Sequence, residues 1–278
     1  MRLLLKIFII IFSVKASFAQ INTIKHAEIK KYKPANHGLK DLVFNVKAPG
    51  LAENLNSKEF LGKIENVYFT IYWASPGKFQ VDIIGLPRGY HELKFALKKN
   101  MIPLLKIIFP DDQANLLRSY SLTSEKITGG EKIYAVDKSG MNPINSKELT
   151  FSRDGYLKSI KSYGRQSMEV PNIEFKMSKQ SWSHNKWVLL KTTSLISQGA
   201  RITSLQTEID YQVLAGFGLP KEVKKTTAVS WKAGTNSVNA FKPIRNVEKF
   251  IFSEYQINTG KALKKFLVNQ KEDHVKQK

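Results

Sequence analysis

The sequence predicts a mainly β (α+β) fold: an antiparallel sheet with one apolar face, accompanied by a few helices. Apolar and polar residues alternate along most of the chain, at the two-residue period of a strand. Turn signals such as Asp154-Gly155 separate the alternating stretches. One long segment, 86–110, has a helical period instead. The chain therefore indicates a series of hairpins with one helical insertion.

The clearest strand pair lies at 65–85, on both sides of the turn Ser75-Pro76-Gly77. The apolar positions that share one face are Val67, Phe69, Ile71 and Trp73 before the turn and Phe79, Val81 and Ile83 after it. Polar side chains occupy the other face, as in an antiparallel sheet with a single covered side. An earlier strand is predicted from the alternation of Leu42, Phe44 and Val46.

Further strands follow the helical insertion. They are expected at 120–127, 132–136, 149–151, 156–163, 175–182, 187–196, 203–214, 223–231 and 250–257. Turn residues stand between them, including Gly129-Gly130, His184-Asn185 and the stretch 216–220. The sequence shows no internal repeat beyond this hairpin rhythm and no low-complexity linker.

Three helical segments are predicted. The first covers 21–37, where Ile24, Ala27, Ile29 and Tyr32 are spaced for one helix face, and it stops near Pro34 or at Gly38. The second is the insertion at 86–110, whose apolar positions are Leu93, Leu97, Met101, Leu104, Leu105 and Ile108. Pro103 lies inside it, so either a kink or two short helices are expected. The third is a short basic helix or tail within 260–278.

The first nineteen residues have the pattern of a secretory signal peptide. Arg2 and Lys6 form the charged region, 7–14 is apolar, and Ser17-Phe18-Ala19 is a small-x-small cleavage site before Gln20. An uncleaved anchor is the alternative, although the apolar run is much shorter than the ~20 residues of a spanning helix. The expected mature protein is therefore soluble, periplasmic and a single domain over 20–278.

The net charge and the absence of cysteine restrict the classes of molecule that the protein is expected to bind. The net charge is +21, and removing the three basic residues of the signal peptide leaves +18. After export, no nucleic acid is expected as a partner, and an anionic membrane surface or an acidic polymer remains open. A basic solvated surface is the alternative. The chain has no cysteine, which excludes lipidation at cysteine, disulfides and zinc–thiolate sites.

Two stretches carry a resemblance to a known family. Trp73 with 75–81 (SPGKFQV) is similar to a "P-x-K-F-R" strand entry, and 209–220 (IDYQVLAGFGLP) to a "Y-x-x-x-x-G-x-x-L-P" turn. Together with the order of elements, they resemble the LolA-like superfamily of outer-membrane lipoprotein-sorting proteins and related periplasmic lipid carriers. The resemblance implies a strongly curved antiparallel sheet, an unclosed β-barrel whose concave apolar face is covered by helices and holds acyl chains. The helical insertion at 86–110 departs from the family pattern, and it either gates the cavity or fills it permanently.

We expect the cavity wall to be formed by apolar side chains of the strands and of the covering helix. These residues are Phe44, Val46, Phe69, Ile71, Trp73, Phe79, Val81, Ile83, Ile209, Tyr211 and Val213 on strands, and Leu97, Met101 and Leu105 on the helix. The alternative is that the same stripe is ordinary core. Trp73 and Phe79 lie next to the hairpin turn, where a cavity rim is expected.

Enzymatic chemistry is not expected. The five histidines are not at metal-ligand spacing, and no nucleophile elbow or phosphate loop occurs. Asp111-Asp112 is best explained as a loop or helix N-cap. The sequence thus predicts no catalytic residues, metal or cofactor. It predicts a monomer that binds lipid or lipoprotein acyl chains, or alternatively a non-enzymatic envelope scaffold that binds protein or anionic polymer through its basic face.

Overall fold

The structure is a computed structural model that describes residues 20–57, 64–110, 112–164, 171–231 and 244–276. The predicted signal peptide at 1–19 and Asp111 lie outside these residues. Twelve strands make up the described sheet: β1 (Asp41–Lys47), β2 (Tyr68–Ala74), β3 (Lys78–Ile84), β4 (Tyr120–Ile127), β5 (Gly130–Asp137), β6 (Ile144–Ser152), β7 (Leu157–Gly164), β8 (Asn172–Lys179), β9 (Trp187–Gln198), β10 (Arg201–Leu214), β11 (Phe217–Trp231) and β12 (Ile244–Ile257).

The twelve strands form one antiparallel sheet. Their order is β3-β2-β1-β12-β11-β10-β9-β8-β7-β6-β5-β4, so nearly every strand pairs with its neighbour in sequence. The exception is β1, which pairs with β12. Within the described chain β3 and β4 are the two edges, and the sheet is not closed. The predicted mainly β fold with an unclosed antiparallel sheet and helices is confirmed.

The described residues include five helices. They are α1 (residues 20–30), α2 (Leu51–Asn56), α3 (His91–Ile108), α4 (Gln113–Leu116) and α5 (Lys261–Lys276). A 3-10 turn at Pro34–His37 lies between α1 and β1. The Asp112 side chain caps α4 by accepting a hydrogen bond from the Ala114 N–H at 2.9 Å, as the N-cap interpretation predicts.

The chain divides into two compact units. The first draws its described residues from Met1–Tyr32, Asp111–Glu208 and Lys225–Val247, and the second from Lys33–Pro110, Ile209–Lys224 and Glu248–Lys278. The single domain that the sequence predicts over 20–278 stays a prediction, because this division reports local compactness and not independent folding.

The core of the first unit lies between α1 and strands β4–β6. Ile24 and Ala27, three residues apart on α1, pack in one cluster with alternating residues of the three strands. The strand members of this cluster are Tyr120 and Leu122, Ile133 and Ala135, and Leu149 and Phe151. The register pairs Leu122 with Ala135 and Ile133 with Leu149, so one face of these strands is apolar.

Helix α1 is shorter than predicted. It ends at residue 30, and Tyr32 continues as extended chain, where its N–H donates to the Trp187 carbonyl at 2.8 Å. Tyr32 is buried against the ring of Trp182, whereas Ile29 is 61% exposed. The helical spacing of Tyr32 was thus misleading, because its burial comes from contacts with residues distant in sequence.

Helix α3 runs through Pro103 as one continuous helix, so of the two alternatives the pair of short helices is wrong and the kink stays a prediction. Proline removes the hydrogen bond that would reach the carbonyl of Lys99. Both Pro103 and Lys99 are exposed, so water can bond to that carbonyl.

The turn predicted at 216–220 is also corrected. Ala215 and Gly216 alone form it, with φ angles of 48° and 82°. Two consecutive positive φ angles are typical of a two-residue hairpin turn. The residues that follow, Phe217 to Pro220, already belong to β11.

Candidate functional site

The strand residues predicted to line a cavity form one continuous apolar face in the second unit. The register pairs Phe44 with Ile71, Val46 with Phe69, Trp73 with Phe79, Ile71 with Val81 and Phe69 with Ile83. Directly paired residues project to the same side of a sheet. All eight side chains on β1, β2 and β3 therefore share one face, as the sequence predicts.

This face is largely removed from solvent. Phe44, Val46, Phe69, Ile71, Trp73 and Val81 are each at most 6% exposed. Phe79 and Ile83, on the edge strand β3, are half-buried. Burial decreases toward the edge of the sheet, so the strand at the edge leaves the greatest part of the face open.

Helix α3 supplies the predicted helical side chains. Met101 and Leu105 are buried and Leu97 is half-buried. Phe109, the residue that ends the helix, stacks on Trp73 with ring centroids 5.2 Å apart and lies 6.3 Å from the ring of Phe44. The end of α3 therefore covers part of the apolar face with the protein's own side chain.

Strand β12 adds two aromatic residues that the sequence analysis did not place at the site. Phe252 and Tyr255 stack on Phe44, with ring centroids 5.8 and 5.3 Å away. We call Phe44, Trp73, Phe109, Phe252 and Tyr255 the aromatic cluster. Both β12 residues reach the same ring because a register irregularity opposite Phe44 interrupts the alternation of β12.

Tyr255 is held in an apolar setting by one polar contact. Its hydroxyl donates a hydrogen bond to the backbone carbonyl of Pro220. Burial, with a smaller contribution from nearby Tyr211, raises the pKa of Tyr255 well above its usual value near 10. The phenol is therefore neutral at physiological pH.

The predicted residues of β10 differ among themselves. Ile209 is buried and Tyr211 half-buried, whereas Val213 is 50% exposed near the turn that ends the strand. The negative charge that Tyr211 would carry on ionisation adds to the effect of burial on the pKa of Tyr255.

Trp73 contains a polar group without a partner. Its side chain is 3% exposed, and its indole N–H finds no hydrogen-bond acceptor among the described residues. A buried donor left unsatisfied costs about 1–3 kcal/mol. A ligand with a carbonyl oxygen could accept this hydrogen bond.

The opposite face of β1–β3 is covered by α5. Ala262 is fully buried, and Lys265 contacts the Asp82 carboxylate at 3.1 Å and the face of the Tyr72 ring at 5.4 Å. Asp82 also lies 3.9 Å from Lys98 of α3. Because these ionic groups are partly exposed, such pairs add little stability.

No group of three or more His, Asp or Glu side chains within the described ranges is arranged to hold a metal ion. What the site offers instead is an apolar, aromatic-rich surface with a single unpaired donor, which suits a ligand with a hydrocarbon chain and a carbonyl group.

The fold and this site define a mainly β protein with an unclosed twelve-stranded antiparallel sheet and an apolar face partly covered by a helix end. No protein-family model, curated protein or solved structure matches the chain. The resemblance to LolA-like proteins therefore stays a prediction based on two short motifs and the order of elements. None of the described helices has the length and apolar character needed to cross a membrane.

Proposed function

We propose that this protein binds the acyl chains of lipids or lipoproteins without a covalent bond and carries them through the periplasm. The aromatic cluster is the observation that supports the proposal. There a helix end, and not a second sheet, covers Trp73 and Phe44. An acyl chain would take the place of Phe109 on this surface.

The free energy gained by burying an acyl chain exceeds the free energy lost when Phe109 leaves the aromatic cluster. Each buried methylene of an acyl chain gains about 0.8 kcal/mol, so ~10 carbons gain roughly 8 kcal/mol before the costs of association. The aromatic contacts that Phe109 would lose are worth about 0.5–1.5 kcal/mol each beyond area burial. An ester or amide carbonyl next to the chain would also satisfy the buried N–H of Trp73.

The decisive experiment restrains α3. Asp82→Cys and Lys98→Cys introduce two thiols where β3 and α3 meet, and the natural chain has no cysteine to interfere. A reducible bismaleimide would join them. We expect affinity for a fluorescent hexadecanoic acid to fall at least tenfold after cross-linking and to recover after reduction. Equal affinity in the cross-linked and reduced forms would show that acyl chains do not enter beneath α3.

The matched control uses an ion pair of the first unit. Lys191 and Glu208 face each other on β9 and β10 at 3.4 Å, so Lys191→Cys with Glu208→Cys accepts the same cross-linker without joining any residue of α3. Affinity should not change there. Lipid extracted from protein purified under mild conditions and identified by mass spectrometry would give the natural ligand.

A second candidate function is an envelope scaffold that binds protein or anionic polymer through its basic surface. The observation that favours it is the burial of most of the predicted cavity residues by the chain itself. This function predicts binding that weakens steeply with salt and is unchanged by Phe79→Glu, at a half-buried position on the edge strand β3. The carrier function predicts that binding of acyl chains depends little on salt and is weakened by the same substitution.

Periplasmic location is part of the proposal and is based on the pattern of residues 1–19. Fractionation of cells that produce the full chain tests it. We expect the protein in the periplasmic fraction with Gln20 at its N-terminus, as determined by intact mass. A cytoplasmic protein that retains Met1 would exclude the carrier role proposed above.

A further inference from the structure

A concave site lies in the first unit, and it shares no residue with the aromatic cluster. A cleft of about 750 Å³ opens between α1, the turn from β4 to β5 and the turn from β6 to β7. Sites for small ligands usually have volumes of ~300–1,000 Å³. The cleft is thus large enough for a small organic ligand.

The lining of this cleft is basic. Lys30, Lys126 and Arg153 contribute three positive charges, and Glu131 contributes one negative charge. The imidazole of His26, on α1, also lines the cleft. The surplus of two positive charges matches a phosphate monoester, which carries about −1.5 to −2 at neutral pH. A single carboxylate would neutralise only half of it.

Two of the cations are available for a ligand. Lys126 and Arg153 are exposed, and neither forms an ion pair with any part of the chain that the structure describes. Lys30 is held differently, because its ammonium donates to the Asp154 carbonyl at 2.8 Å. The Glu131 carboxylate accepts a hydrogen bond from the Thr23 hydroxyl at 3.2 Å. Glu131 keeps its negative charge opposite Lys126 and is already counted in the surplus of two, and the two exposed cations remain open to a ligand.

Two glycines allow the walls to come together. Gly155 has a φ of 81°, and a Cβ there would meet the Lys30 ammonium at 3.0 Å, so glycine lets α1 approach the β6–β7 turn. A Cβ on Gly130 would lie 1.9 Å from the Phe151 carbonyl oxygen. The Arg153 N–H also donates to the Gly129 carbonyl at 2.8 Å, which joins the two turns. The basic side chains thus extend from turns that are fixed to each other.

We propose that this cleft binds a phosphate monoester, either as a soluble ester or as the headgroup of a lipid. Arg153 supplies a planar donor pair that suits two phosphate oxygens, and Lys126 and Lys30 supply point charges. The proposal does not depend on acyl-chain binding, because no residue of the aromatic cluster lines the cleft.

The test titrates the protein with two probes. Inorganic phosphate represents the free anion, and vesicles of phosphatidylcholine with phosphatidic acid represent the headgroup. We expect saturable shifts of the backbone amide NMR signals of Gly129, Arg153 and Gly155 with phosphate, or saturable binding to the phosphatidic acid vesicles. Phosphate alone would identify a soluble ester and vesicles alone a lipid headgroup, and either supports the site.

Variants decide whether the cleft itself is responsible. Lys126→Gln with Arg153→Gln should weaken the response roughly tenfold or more, because charged hydrogen bonds are lost. Lys138→Gln with Lys161→Gln changes two exposed lysines of the same unit outside the cleft and should have no such effect. An equal loss in both double variants, or no saturable response to either probe, would overturn the proposal.

Discussion

Asp41 on strand β1 caps the helix that begins at Lys261, because its carboxylate accepts a hydrogen bond from the Ala262 N–H at 3.1 Å. The other carboxylate oxygen accepts from the Gly260 N–H at 3.0 Å. Asp41 is 1% exposed, so its carboxylate is withdrawn from water. Asn258 adds a third connection, since its side-chain oxygen accepts from the Lys40 N–H at 2.7 Å. Helix α5 is thus joined to β1 by directional bonds as well as by packing.

Asp41→Ala should destabilise the protein and loosen the start of α5. Loss of a helix cap costs about 0.5–2 kcal/mol, and the buried N–H groups left behind add to it, so we expect roughly 2 kcal/mol. Urea denaturation measures the loss in the free energy of unfolding, and faster hydrogen exchange at residues 262–264 would show that the loss arises at the start of α5. Asp210→Ala, at an exposed position, is the control and should lie within about 0.5 kcal/mol of wild type. Equal effects of the two substitutions would mean that the cap contributes nothing.

Tyr255→Phe removes the hydroxyl that binds the Pro220 carbonyl and should cost about 1 kcal/mol at neutral pH. The pKa of Tyr255 is higher in the folded state than in the unfolded state, where it is near 10. The stability that the protonated hydroxyl contributes is therefore fully present below pH 10 and is lost as the pH rises above that value. The variant should therefore lose part of the alkaline sensitivity of stability. Denaturation at pH 8 and pH 11 measures this, and an identical pH dependence in both proteins would contradict it.

The strands were predictable because their signals are local. The β2–β3 hairpin follows from strict alternation on both sides of a short turn, and its register puts the predicted apolar residues of both strands on one face. Glycine-containing turns also predicted the β4–β5 and β6–β7 hairpins, although β6 begins at Ile144, before the predicted 149–151, and its pairing with β7 is irregular in register. In each case every residue needed for the prediction lies within about twenty positions of the others.

The rest of the candidate site depends on pairing across the whole chain. Strand β1 pairs with β12, which brings Phe252 and Tyr255 to Phe44 from more than two hundred positions away. No local pattern encodes that neighbour. The irregular register opposite Phe44 further conceals it, because an even and an odd residue of β12 then contact one ring. The basic cleft was missed for a similar reason, since its cations come from three separate segments.

Asp137 should titrate at an unusually low pH. Burial acts to raise the pKa of Asp137, but hydrogen bonds from Asn142 and Ser139 outweigh it and lower the pKa to about 2. The shortest of these joins the Asn142 side-chain nitrogen to the carboxylate at 2.7 Å. The stability that this carboxylate contributes is therefore present above the unfolded value near 3.9 and is lost as pH falls through about 2.

Carboxyl-carbon NMR between about pH 5 and pH 1 measures the titration of Asp137 directly. Asn142→Ala removes the side-chain donor, although the backbone N–H of residue 142 remains. We expect the midpoint to move upward toward the ordinary value in this variant. A midpoint near 3.9 in the wild-type protein, or no change on substitution, would show that the loop between β5 and β6 does not stabilise the ionised form.

Phe109→Ala removes the side chain through which the end of α3 covers the aromatic cluster. The stacked contact with Trp73 and the tilted contact with Phe44 would be lost, and the free energy of unfolding should fall by roughly 2 kcal/mol. If α3 competes with acyl chains, a weaker cover should raise the affinity for hexadecanoic acid about five- to tenfold, because less energy is needed to open the site. Denaturation and a fluorescent-ligand titration measure the two effects.

Phe95→Ala is the matched control, because Phe95 lies on the same helix but is 70% exposed. It should leave both stability and affinity nearly unchanged. Hydrogen exchange at the end of α3 should accelerate in Phe109→Ala only. A fall in affinity on removal of Phe109 would mean that its ring belongs to the binding wall. In that case the acyl chain packs against the aromatic cluster without displacing Phe109. The protein with α3 cross-linked to β3 should then bind hexadecanoic acid as tightly as the reduced protein.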